Sequence, residues 1–168
     1  MRHLRVFLLV LLVAGLLPHL PAAGMTMSTL QNLPALGVKV RGLSPDGMIL
    51  GLSEAELVQT VAATLQKVGV KVVQGPALDQ LPGGPTLEIT ANITRIGVRS
   101  HLFIVRLELR ENVKFVRQTQ NLVTVPAITW DREADGYTAK IEVIRAKLTE
   151  LAEKFAAEWS EAGAAAGR

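Results

Sequence analysis

Acids recur over Asp131-Arg-Glu133-Ala-Asp135-Gly136-Tyr-Thr-Ala-Lys-Ile-Glu142 at the spacing of an EF-hand calcium loop: positions 1, 3, 5 and 12, with glycine at 6. Hard Ca²⁺ takes six to eight oxygens, and this spacing can wrap them around one ion. Three features depart from the pattern. Position 3 is the longer Glu133, position 8 is Thr138 instead of a branched apolar residue, and a strand precedes where an entering helix belongs. The plainer reading is a group of acids at a helix N-terminus, where the macrodipole favours negative charge. Calcium at 131–142 therefore stands as a remote alternative, and no metal or cofactor is assigned.

Other catalytic constellations are thin. The chain has no cysteine, which excludes thiol nucleophiles and thiolate metal sites. His3 and His19 fall in an apolar leader, leaving His101 as the one histidine beyond it. It sits at a strand start beside Arg99 and Ser100, without the glycine-flanked serine of a nucleophile elbow. Glu88, Glu108 and Glu111 could be paired for acid–base work. Glu108, however, has Arg106 and Arg110 two positions away on its own strand face, and cations favour the ionised form where a general acid needs the neutral one. A solvated ladder of opposite charges explains that pattern better. The Leu-Pro-Gly-Gly-Pro segment lacks the lysine and helix start of a phosphate loop. No catalytic residue is assigned, and the expectation is a protein that is not an enzyme.

These side chains are positioned by a sheet. Leu87, Ile89, Ala91 and Ile93 alternate with Glu88, Thr90, Asn92 and Thr94; Phe103, Val105, Leu107 and Leu109 alternate with Arg106, Glu108 and Arg110. Successive strand side chains point to opposite faces, so each strand has one dry face and one wet face. Gly97 to Ser100 can turn the chain between them. An earlier strand is expected over 35–43, then a turn at Ser44-Pro-Asp-Gly47. Ser53-Glu-Ala-Glu56 is a capping box opening a helix whose Leu57, Val58, Val61, Leu65 and Val68 share a face, with Gly69 as its left-handed end. A short strand follows at 70–73, then a Gly/Pro-rich loop over 74–85. A fifth strand runs to Trp130 with Pro126 placing it at an edge or bulge. An acidic turn over 131–137 leads into a helix from Thr138 carrying Ile141, Ile144, Leu148, Leu151 and Phe155 inward.

The order β-α-β-β-β-(β)-α predicts an α+β two-layer sandwich, a mainly antiparallel sheet of four to five strands with two helices on one face. If the first two strands pair, the helix between them makes them parallel.

Residues 1–24 have the basic start, apolar run and small-residue site of a Sec-type signal peptide, with cleavage expected after Ala22-x-Gly24. A flexible lead-in over 25–34, one domain over 35–162 and a disordered tail over 163–168 complete the expected plan. The apolar run is short against the ~20 residues of a membrane span. The full chain has 18 Lys+Arg against 15 Asp+Glu. Arg2 and Arg5 lie in the leader, so the exported part is nearly neutral, and nucleic acid loses its compositional support as a partner. Periplasmic or secreted localisation follows, without the lipidation cysteine of a lipoprotein.

The succession strand–helix–strand–strand–strand–helix behind an export signal is similar to the LPS-assembly lipoprotein family of the outer membrane. That resemblance implies a small α+β domain that plugs a barrel partner and contacts lipopolysaccharide. The segment G-L-S-E-A-E-L-V-Q-T-V-A-A-T-L-Q-K-V-G-V-K-V also resembles the opening of small exported bacterial domains with G-L-(S/T)-E-x-x-L…L…(A/V)-G-(I/V). The functional expectation is a non-enzymatic envelope protein that binds an envelope partner, or itself, through its uncovered surface. Candidate residues are Thr90, Asn92, Thr94, Arg106 and Arg110 on the wet face and Leu122, Ile128 and Trp130 along one side of the fifth strand, with Val123, Val125 and Ala127 on the other. A lipid or small-ligand carrier with a cavity between helices and sheet is the alternative.

Overall fold

The computed structural model describes residues 30–31, 33–116 and 122–165; the leader expected at 1–24 lies outside them. The fold is α+β, with five strands and, among the described residues, four helices. The sheet is mixed, which corrects the mainly antiparallel expectation. Strand β1 (Leu36–Leu43) lies between β2 (Val72–Val73) and β3 (Thr86–Arg95) and runs parallel to both. Only β3, β4 (His101–Val116) and β5 (Leu122–Thr138) form an antiparallel meander, in the order β2-β1-β3-β4-β5. Alternation within β1 says which side chains are dry but not which strand lies alongside it.

The return from β2 to β3 passes over the polar side of the sheet. It contains the short helix α3 (Pro76–Asp79); the other helices are α1 (Pro45–Ile49), α2 (Glu54–Lys67) and α4 (Ile141–Ala165). The segment expected as irregular over 74–85 thus includes α3. Leu78 of α3 sits where a side chain at position 37 would stand: a Cβ on Gly37 would lie 2.7 Å from its Cδ2.

The turn expected at 44–47 is the start of α1. Turn and cap chemistry use the same residues: the Ser44 hydroxyl accepts from the Gly47 N–H at 3.3 Å, and Pro45 occupies the first turn, where its missing N–H is harmless. Ser44 also donates to the Ile93 carbonyl at 2.9 Å, pinning α1 to β3. In α2 the Ser53 hydroxyl accepts from the Glu56 N–H at 3.2 Å. The Glu56 carboxylate pairs with Arg145 of α4 at 2.5 Å and so ties the two long helices together. Gly69, at φ 87°, closes α2 in the left-handed region.

Helices α2 and α4 pack on each other and on the apolar sheet face. Leu57, Val61 and Leu65 of α2 and Ile144, Leu148, Leu151 and Phe155 of α4 meet Leu87, Ile89, Phe103, Leu107 and Leu109, all buried. Burying each such side chain contributes roughly 1.5–3 kcal/mol. The end of the expected loose lead-in joins this core: Leu30 and Leu33 are buried, and the Leu33 carbonyl accepts from Trp159 Nε1 at 3.4 Å. Helix α4 continues past Gly163 to Ala165, where a disordered tail was expected.

Candidate interaction surface

The polar sheet face is an ion-pair lattice. Cross-strand register sets Glu88 opposite Glu108 and Thr90 opposite Arg106, so two carboxylates adjoin at the sheet's centre. Like charges at that spacing repel unless cations stand between them. Arg110 does so, with Nε 3.0 Å from Glu88 and Nη2 3.0 Å from Glu108. Lys39 reaches Glu88 at 3.0 Å, and Arg41 reaches Glu108 at 3.1 Å. A register shift between Val40 and Gly42 accompanies the position of Arg41. Arg106 lies 3.4 Å from Glu108 and donates from both Nε and Nη2 to one carboxylate oxygen, Oε2, of Glu133 on β5.

Burial alone would push the Glu108 carboxyl up. Hydrogen bonds from Arg110 and Arg106 and the positive field of Arg110 and Arg41 outweigh it, so its pKa lies below the ordinary carboxylate value. Glu108 is therefore a fixed anion near neutral pH and offers no proton to a substrate. The Arg106 guanidinium is raised by Glu133 and, less, by Glu108. An open groove of about 460 Å³ crosses this face, lined by Arg41, Thr90, Asn92, Ile104, Arg106 and Glu133. The charge ladder around Glu108 was expected from Arg106 and Arg110; its partners from β1 and β5 were not. Their outward positions in alternating strands were the available signal, but it needed the strand order to become contacts.

Strand β5 overturns the calcium reading. Asp131 to Thr138 continue β5 in register with β4, from Asp131 opposite Glu108 to Thr138 opposite His101, so no loop encircles an ion. Among the described residues, no group of three or more His, Cys, Asp or Glu is placed to hold a metal. Gly136 packs against Phe103, whose ring would stand 3.2 Å from an added Cβ. A large aromatic neighbour fills the space a strand glycine leaves empty.

The expected surface residues separate. Arg106 and Arg110 lie together in the lattice. Trp130 is in the core, 2% exposed, its ring edge-on to Phe155 with centroids 4.9 Å apart. Its Nε1 donates to Glu158 at 2.8 Å, and Glu158 also takes Arg132 at 2.7 Å. Arg132 in turn lies over the indole, 5.3 Å from its centroid. Ile128 does not share a side with Trp130 as expected. The register shift between Leu109 and Arg110 leaves Thr129 as an extra residue, so Trp130 opposes inward Leu109 while Ile128 opposes outward Arg110. Ile128 is 46% exposed. Leu122 opens β5, its side chain outside the described residues.

Beyond Arg110, β4 has no partner in β3. Glu111 to Val116 and Leu122 to Ala127 therefore form ladder pairs only with each other, as a two-stranded arm extending past β3 and tied at its root by Asn112 to Gly83. The free side of β5 is guarded. The Asn112 N–H donates to the Gly83 carbonyl at 2.7 Å, away from β5, so its partner Pro126 turns its donor-less nitrogen to the open edge. Below it come the bulge at Thr129 and the acids Asp131, Glu133 and Asp135, devices that discourage an added strand. Replacing Pro126 by valine restores an edge donor; light scattering at rising concentration should then show self-association that the unsubstituted protein lacks. Equal masses for both proteins would show that proline is no guard.

No known family model matches the chain, and no curated protein matches it either.

Proposed function

We propose that the protein is a non-catalytic binding module of the bacterial cell envelope, exported by its N-terminal segment and built as a sheet with its long helices on one face. The observation that carries this reading is the arm: β5 spans 17 residues against 10 in β3, and the surplus presents Val123, 52% exposed, with Ile128 exposed in the main sheet beside the arm's root, neither with a covering element among the described residues. Bare two-stranded ribbons are marginal in water and gain by being covered. The adjoining lattice holds the arm's root rigid and adds Thr90 and Asn92 as polar contacts.

A photo-crosslinker at Ile128, with Thr94 at the far end of the polar face as control, tests this in cells that express the protein. A discrete envelope adduct at 128 and none at 94 is expected. Uncrosslinked monomer at both positions would overturn the reading.

A further inference from the structure

The β5 edge is guarded; the opposite edge of the sheet is open. Strand β2 pairs with Leu36 and Gly37 alone, so from Val38 to Leu43 β1 is laddered only to β3 among the described residues. The Leu36 N–H donates toward β2, to the Lys71 carbonyl, and the Gly37 N–H toward β3, to the Pro85 carbonyl. Alternation therefore turns the backbone groups of Val40 away from β3. Side chains register the same gap. Val40 and Leu43 pack on the core yet are only half-buried, while their ladder partners Ile89 and Ala91 are fully buried.

The two borders of this edge define what fits it. Helix α4 lies on the Glu56 side of α2, so the opposite flank of α2 overhangs the edge. That flank is uncharged: Val58, Ala62, Gln66 and, just after β2, Gln74 line a groove of about 410 Å³. On the polar side stand Lys39 and Arg41, and Lys71, exposed just before core-facing Val72, extends their row. Neither edge strand contains an acid, although Asp79 of α3 lines a groove with Lys39 and offsets one charge. Lys39 and Arg41 are paired inward but 58% and 52% exposed, so each keeps donors for a second carboxylate. Pairing β1 with β1 of a second copy would set this cationic row against itself.

We propose that β1 receives an acidic, extended segment of a partner protein as an added edge strand. The segment's backbone pairs with the outward groups around Val40. Its carboxylates meet Lys39, Arg41 and Lys71, and its alternate apolar side chains enter the groove beside α2 and cover Val40 and Leu43. The register shift between Val40 and Gly42 keeps this seam short, so charge supplies much of the selection. The site lies across the sheet from the arm and does not depend on it.

Fluorescence anisotropy of the purified protein with a labelled peptide of alternating glutamate and valine tests this. Saturable binding is expected. A lysine–valine counterpart, and a peptide with the same glutamates and valines in two blocks, should each bind about tenfold more weakly. Val40→Pro removes an outward donor without touching the β3 ladder, so the fold should persist by circular dichroism and affinity should fall about fivefold. Ala62→Glu, on the helix flank, puts a like charge in the groove and should weaken binding comparably, whatever the fate of Val40→Pro. No binding, equal binding of the three peptides, or unchanged affinity in Ala62→Glu would overturn the proposal. So would a dimer mass that Val40→Pro abolishes, which would give the edge to a second copy.

Discussion

Trp130→Ala should lower stability by about 3–5 kcal/mol, the range for emptying a large buried aromatic site. Three losses combine in it. The cavity opens against Phe155, the Glu158 carboxylate loses its indole donor, and Arg132 loses the ring beneath it. Against a total of about 5–15 kcal/mol for an ordinary domain, that is enough to unfold a measurable fraction. Urea denaturation followed by circular dichroism gives the number. Trp130→Phe keeps most of the ring but not the hydrogen bond, so it should cost only about 1–3 kcal/mol. Midpoints within experimental error of the unsubstituted protein for both variants would mean that Trp130 is a surface residue after all.

Glu108→Gln tests the lattice and carries the clearest pH signature. Three arginines converge on this one carboxylate. Removing one member of a fully buried pair costs about 3–5 kcal/mol. The arginines here are between 28% and 52% exposed, so solvent screening brings the expectation down to about 1–3 kcal/mol. The folded-state pKa lies below the ordinary glutamate value of 4.5, so the carboxylate's contribution is whole above that pH and is lost as the pH falls through the folded value. Stability measured from pH 7 downward should therefore drop more steeply for the unsubstituted protein than for Glu108→Gln, with the two curves converging below pH 4.5. Parallel curves would show that Glu108 is not held ionised by its neighbours.

The parts that were readable from sequence are those decided within one turn or one strand. Ser53 and Gly69 bound α2 because caps are local, and the dry faces of β3 and β4 follow from period-two alternation. Strand β5 was misjudged for a physical reason. Asp131, Glu133, Asp135 and Gly136 are poor strand formers in isolation, yet Glu133 meets Arg106 across the ladder and Gly136 receives the Phe103 ring. Tertiary contact overrode propensity. The single extra residue at Thr129 then reversed the side of every β5 residue before it, which no periodicity count shows. On the candidate surface, Arg106 and Arg110 were legible, but Lys39 and Arg41 reach Glu88 and Glu108, and Glu133 reaches Arg106, only because β1 lies beside β3 and β5 beside β4.

The parallel seam between β1 and β3 has a consequence for how the chain acquires its shape. Gly37 and Thr86 meet across roughly 50 residues, whereas β3 and β4 are joined by a tight hairpin. Closing the larger ring costs about 2 kcal/mol more in chain entropy, so the hairpin ladder should nucleate first and β1 should zip on last. Until it does, Glu88 lacks Lys39, Glu108 lacks Arg41, and one long side of β3 stands open to any stray strand. The slowest event in refolding should be the arrival of β1, and conditions that prolong it should favour aggregates over monomer.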